Sequence, residues 1–219
     1  MKHILYILFI GVVLAASGCD DGGSSTSPQT SYTSIIVSDS SYDGDIERIA
    51  ANSFTITQGM SPTVQSVFAG VDPGALTEFR AFLDFPLGGA GGVPYDAVID
   101  SAYLDIFIDS IQSNTDTIPI LIDLVTFQPP NLVTTDFDRG VQPSLATISI
   151  RPPISVTDVG SNISIDVTAL MEEAQSRGLT DFQLRILEDF EASPGLIEIN
   201  DTTGTNRTAL APQLTVIYH

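Results

Sequence analysis

From Ser34 onward the chain alternates apolar and polar residues with a period of two. Phe79, Ala81, Leu83, Phe85 and Leu87 are interleaved with Arg80, Phe82, Asp84 and Pro86. Ala102, Leu104, Ile106 and Ile108 are interleaved with Ser101, Tyr103, Asp105, Phe107 and Asp109. Ile163, Ile165 and Val167 repeat the pattern, as do Phe182, Leu184 and Ile186, and then Leu214, Val216 and Tyr218. Successive side chains of a strand point to opposite faces, so this periodicity predicts strands with one buried and one wet face. Further strands are predicted at 35–37, 54–57, 64–69, 118–127, 146–150 and 196–199. Turn residues such as Gly88-Gly89-Ala90-Gly91-Gly92, Pro129-Pro130, Pro152-Pro153 and Ser193-Pro194-Gly195 separate them. Many short strands broken in this way predict an all-β, antiparallel β-sandwich or barrel. A single short helix is predicted over 169–177, capped by Thr168, with Glu172 and Glu173 early and Arg177-Gly178 at its end. Leu170 and Ala174, four residues apart, share its buried face.

The start of the chain has a different pattern. Lys2 and His3 precede an almost unbroken apolar run from Ile4 to Ala15, and Ala16-Ser17-Gly18-Cys19 closes it. This is the layout of a secretory signal peptide. The run is shorter than the roughly 20 apolar residues a membrane span needs, and Asp20-Asp21-Gly22-Gly23-Ser24-Ser25 follows it. The small residues before the cysteine resemble the lipobox of bacterial lipoproteins, although Ala16 stands where Leu is commonest and Leu14 lies upstream. That resemblance implies a signal peptide over 1–18, lipidation of Cys19 and a membrane-anchored protein of the cell envelope. Each buried methylene contributes about 0.8 kcal/mol, so two or three acyl chains hold a protein stably where one does not. Residues 19–33 then read as the acylated cysteine and a polar tether of about 20 Å mean reach, with the folded domain over 34–219. Asp20 after the cysteine implies inner-membrane retention in enteric bacteria, but that rule is not universal, so the leaflet stays open.

Composition narrows the partners. The 219 residues carry a formal net charge of −19, from 27 Asp plus Glu against 8 Lys plus Arg. Lys2 is the single lysine, so beyond the signal peptide arginine is the only side chain that is always cationic. Nucleic acid is excluded as a partner, because phosphate binding requires a basic patch. A hydrophobic fraction of 43% with only 16% charged residues describes a globular chain, not a disordered acidic tail. Cys19 is the only cysteine, so the folded domain has no sulfur chemistry.

The same inventory speaks against an enzyme. The only histidines are His3 and the C-terminal His219, so nucleophilic triads and zinc sites lack their imidazoles. The Gly88–Gly92 loop lacks a following Gly-Lys-Ser/Thr and is not a phosphate cradle. No catalytic residue is predicted. No cofactor is predicted either, with calcium as the one candidate. Asp39, Asp43 and Asp45 supply oxygen ligands at spaced positions with Gly44 for a turn, like the first half of an EF-hand loop, but Ala50 stands where the closing Glu is required. Asp43 and Asp45 with backbone carbonyls are a second calcium arrangement, and a solvated acidic turn is the alternative.

For ligand contact, the alternation turns Phe82, Tyr103 and Phe107 outward. Tyr103 and Phe107 lie roughly 13 Å apart along one strand at about 3.3 Å per residue, a spacing suited to stacking on separate sugar units. Arg80 or Arg185 is then placed to hold a sugar carboxylate in a bidentate pair. The alternative is that a loop or the helix covers these rings and they are packing residues.

Four stretches carry a family resemblance. Glu78-Phe79-Arg80-Ala81-Phe82-Leu83-Asp84-Phe85 is similar to the "R-x-x-L-x-F" strand of DNRLRE-type domains, and Ile99-Asp100-Ser101-Ala102-Tyr103-Leu104-Asp105-Ile106 to their "I-x-S-A-x-L-x-L" strand. Ile165-Asp166-Val167-Thr168-Ala169-Leu170 resembles their "V-D-V-T-x-L" approach to a helix, and Ala211-Pro212-Gln213-Leu214-Thr215-Val216-Ile217-Tyr218 their closing strand. The resemblance implies a secreted jelly roll similar to carbohydrate-binding modules for acidic polysaccharides. The chain departs from that family in having no tryptophan. Phe137, in Val133-Thr134-Thr135-Asp136-Phe137-Asp138, stands where one is usual, and Ala174 or a neighbour takes the place of another. The expectation is a non-catalytic, membrane-anchored module that binds polysaccharide or another envelope component. A structural or assembly protein without a small ligand is the alternative, and a polysaccharide hydrolase is the third reading. Asn162-Ile163-Ser164, Asn200-Asp201-Thr202 and Asn206-Arg207-Thr208 match the glycosylation pattern, a coincidence in a bacterial lipoprotein.

Overall fold

Strand β6 (Ile99–Ser113) is the spine of the molecule. Its burial alternates strictly from Ala102 to Ile108, the pattern the sequence predicts. It is long enough to serve two layers: its first half pairs with β14 (Gln213–Tyr218) and β11 (Asn162–Asp166), and its second half pairs with β13 (Gly195–Asn200). The chain is seen in a computed structural model that describes residues 29–59, 64–127, 131–189 and 194–219. The predicted signal peptide, Cys19 and most of the predicted tether lie outside the described residues.

The remaining strands are β1 (Tyr32–Val37), β2 (Gly44–Ala50), β3 (Ser53–Gln58), β4 (Ser66–Val71), β5 (Glu78–Pro86), β7 (Thr117–Ile118), β8 (Ile120–Val125), β9 (Ala146–Ser149), β10 (Ile154–Ser155) and β12 (Asp181–Glu188). β1 begins ahead of the Ser34 expected from the sequence. The main sheet runs β1-β14-β6-β13-β4-β5-β12-β8-β9, with β11 also on β6, and β2 joining β5 to β3. All these pairings are antiparallel. The single sheet is curled into a sandwich: β1, β14, β6 and β11 form one layer and the strands from β13 to β9 the other. Gly70 in β4 sits at φ +116°, and a Cβ there would meet the Gly195 carbonyl of β13 at 2.1 Å, so only glycine fits this bend.

Inward residues of both layers make the main core, among them Ile36, Leu83, Phe85, Leu104, Ile106, Ile122, Leu184, Ile186 and Val216. The centre of the second layer, β5, β12 and β8, is buried on both sides. The connection from β8 to β9, with a 3-10 turn at Thr134–Phe137, lies over its outer face and closes a smaller core of Ile46, Phe82, Val125, Phe127, Leu132 and Phe137. This is why β5, β8 and β12 are almost wholly buried while β6 alternates.

Helix α1 (Thr168–Ser176) buries Leu170, Met171 and Ala174 against the core. Its predicted cap is corrected. Asp166 accepts the Thr168 N–H at 2.9 Å, whereas the Thr168 hydroxyl accepts the Ala102 N–H of β6 at 3.0 Å. The hydroxyl therefore ties the helix to the spine. A second helix, α2 (Arg207–Leu210), is a single turn that the periodicity did not predict. Among the described residues no helix is long and apolar enough to cross a membrane.

Candidate functional site

The outer side of the β1-β14-β6-β11 layer is an open sheet face. Register places Ile35, Thr215, Tyr103 and Asp166 in one row across it. Val37, Gln213, Asp105 and Ser164 form the next, and Phe107 lies beside Asn162 beyond them. Tyr103 is 37% exposed and Ile35 63%, and Phe107 is half-buried. Tyr103 and Phe107 thus point outward from the same strand as the alternation predicts, with Asp105 between them. No arginine belongs to these rows.

Phe82, Arg80 and Arg185 occupy a different place from the one the sequence suggested. Phe82 is fully buried, so its expected wet face is corrected. It points away from the main core, as the alternation requires, but the β8–β9 connection covers it and its ring meets Phe127 edge-on at 5.8 Å. Arg185 is also fully buried. Its Nε and Nη2 donate to Asp123 Oδ2 at 3.1 and 2.7 Å, and Nη1 donates to the Asp136 and Gln142 carbonyls at 2.8 and 3.1 Å. Arg80 donates from Nε and Nη2 to Glu78 Oε1 at 2.9 and 2.6 Å, and from Nη1 to the Phe137 carbonyl. Its guanidinium also lies 4.1 Å from the centre of the Phe137 ring. Burial lowers the pKa of both arginines, against the raising effect of their acidic partners. These two guanidinium groups join the second layer to its covering loop.

The three aspartates proposed for calcium diverge. Asp39 Oδ1 accepts the Ser41 N–H at 2.9 Å, Asp43 Oδ1 the Asp84 N–H at 2.8 Å, and Asp45 Oδ2 the Phe68 N–H at 3.3 Å. Each is taken up in fixing a different segment of main chain, and among the described residues no group of three acidic, His or Cys side chains is placed to hold a metal. Asp43 instead lies near Asp201, with Arg207 between β1 and the end of β13. Arg207 Nη1 donates to Asp201 Oδ1 at 2.7 Å, and its Nη2 lies 3.7 Å from Asp43 Oδ2. Burial first, and then the Asp201 carboxylate, push Asp43 well above the usual carboxylate range. Asp201 is raised by burial as well. Burial raises Asp45 to about 7.

A groove of about 710 Å³ opens where the two layers fail to meet, between β9 and β11. Ile148, Ser149 and Ile150 line one side and Ile163, Ser164 and Ile165 the other, with α1 and Arg151-Pro152-Pro153 at its ends. Asp158, Asp166 and Glu172 face it together with Arg151. Among the described residues Arg151 is the one arginine outside an ion pair, since Arg48, Arg80, Arg139, Arg177, Arg185 and Arg207 all have carboxylate partners. The groove is not legible in the alternation, which predicts β9 and β11 as strands but not that their edges lie near each other.

No family model matches the chain, and no curated protein matches it either.

Proposed function

We propose that this protein is a membrane-anchored envelope lipoprotein whose sandwich is a non-catalytic binding module, and that its outer β6 face takes a polysaccharide free of acidic groups. One observation carries this reading: Tyr103 and Phe107 stand on an open face, flanked by Asp105, Asp166, Ser164 and Asn162, with no arginine in these rows. Rings spaced about 13 Å apart on one strand meet separate sugars of a chain, while carboxylate and hydroxyl oxygens between them accept hydroxyl or ammonium hydrogens. Arg80 and Arg185, the arginines expected to hold a uronic acid, are engaged inside the fold, so an acidic polymer meets repulsion from the carboxylates of this face. The anchoring half of the proposal rests on the Lys2–Cys19 sequence pattern.

The test is titration of the full-length protein in detergent micelles with oligosaccharides that are neutral, amino-bearing or uronic. Tyr103→Ala and Phe107→Ala are each expected to weaken binding of the neutral or amino-bearing oligomer by about tenfold, a loss of about 1.4 kcal/mol. Equal binding by both variants, or preference for the uronic oligomer, would sink the reading. Binding of none of the oligomers would favour the structural role instead.

A further inference from the structure

The groove between β9 and β11 is bounded by two free strand edges. β11 pairs only with β6, and β9 only with β8. The backbone bonds at the ends of β11 settle which of its groups are unpaired. Ile108 N–H donates to the Ser161 carbonyl at 3.1 Å, and Val167 N–H donates to the Ala102 carbonyl at 2.9 Å. In an antiparallel pair the ladder bonds fall on every second residue. Ile163 and Ile165 therefore bond to β6, and Asn162, Ser164 and Asp166 turn their N–H and C=O groups toward the groove. On the facing side, Ile150 N–H donates to the Ile120 carbonyl at 2.9 Å. The same rule leaves Thr147 and Ser149 with their main-chain groups turned away from β8.

We infer that this groove accepts an extended peptide segment of a partner protein, which adds as a strand to the free edge of β11. The inference does not depend on the glycan-binding reading. Its basis is the chemistry of the lining: a row of main-chain donors and acceptors at strand spacing is matched by another polypeptide backbone, whereas a sugar chain has no such repeat. Ile150, Ile163 and Ile165 offer an apolar floor to alternate side chains of the incoming strand. The rim sets its charge. Asp158, Asp166 and Glu172 stand against the single Arg151, so the segment that fits alternates apolar residues with lysine or arginine. Asp166 Oδ1 is held by the Thr168 N–H and Asp158 Oδ2 by the Ser155 N–H, while Glu172 is exposed.

The probe is a short capped peptide of alternating valine and lysine, and the readout is amide hydrogen exchange in the full-length protein in micelles. At about 100 times the dissociation constant, exchange at Asn162, Ser164 and Asp166 is expected to slow by about 100-fold relative to the free protein. The same peptide with alternate backbone nitrogens methylated is expected to give no protection, and a valine–glutamate peptide to bind at least tenfold more weakly. Ser164→Pro removes a donor that β6 does not use, so it is expected to leave the fold intact and abolish protection. Glu172→Lys, on the exposed face of α1, is expected to weaken binding without altering the edge. Absence of protection at these three amides, or equal binding of the methylated peptide, would overturn the inference.

Discussion

Arg185 shows how much of this fold rests on charges placed inside it. It bridges β12 to Asp123 of β8 and to two carbonyls of the covering loop, with no solvent exposure. Truncating one member of a buried pair leaves the other uncompensated, typically at about 3–5 kcal/mol. Arg185→Ala is expected to lower the urea midpoint accordingly, and an unchanged midpoint would contradict the structural role. Asp45 makes the complementary case. Its folded pKa near 7 lies above the ordinary 3.8 because burial disfavours the charge. Asp45→Asn keeps an oxygen for the Phe68 N–H and removes that charge. The variant is expected to gain stability relative to the parent above pH 7 and little below pH 4, as read from thermal midpoints across that range. Sequence alone identified Asp45 and Arg185 as chemically notable, but their partners lie 23 and 62 residues away. A strand pattern gives the side of the sheet a residue faces, not what lies over that side.

Among the elements, β6 was readable over residues 101–109 of its Ile99–Ser113 span, and β5 only by half. Both alternate, but β6 has one covered face, whereas β5 carries the main core on one side and Ile46, Phe127 and Phe137 beyond the other. Among its described residues the covering connection is irregular apart from its 3-10 turn, so no periodicity announces it. Phe137 anchors it, packing edge-on against Phe54 at 5.3 Å and beneath the Arg80 guanidinium. Phe137→Ala is expected to cost about 3–5 kcal/mol and to expose Phe82 and Phe127, measured as lowered stability and increased binding of a hydrophobic dye. A cost under about 1 kcal/mol would mean that the connection is not part of the core. Helix α1 was placed correctly because Leu170 and Ala174 repeat at helical spacing. Its cap was misassigned because Thr168 has a β6 amide within reach, a contact that sequence does not show.

Over the whole molecule, a net charge of −19 and several buried carboxyls act in the same direction. Asp43, Asp84, Asp109, Asp136, Glu188 and Asp201 join Asp45 in being raised, with burial the leading cause at each, and Asp84 and Glu188 reach about 6 and about 7. Such groups bind protons more tightly in the folded chain than in the unfolded one. Their stabilisation is complete below the ordinary carboxyl pKa and is lost as pH rises through the folded values. The thermal midpoint is therefore expected to be higher at pH 5 than at pH 8, and the reverse order would refute the raised folded pKa values of these acids.

The same arrangement bears on the proposed function. Among the described residues Arg80 and Arg185 are engaged inside the fold, and the rows of the aromatic face hold acids, neutral polar groups and the apolar Ile35 and Val37 but no arginine. The most direct test is the thermal midpoint of the full-length protein in micelles with neutral, amino-bearing and uronic oligosaccharides at matched ionic strength. A midpoint raised by the neutral or amino-bearing oligomer, and lost in Tyr103→Ala, is the predicted result. A midpoint raised by the uronic oligomer alone, or one that Tyr103→Ala leaves in place, would contradict it.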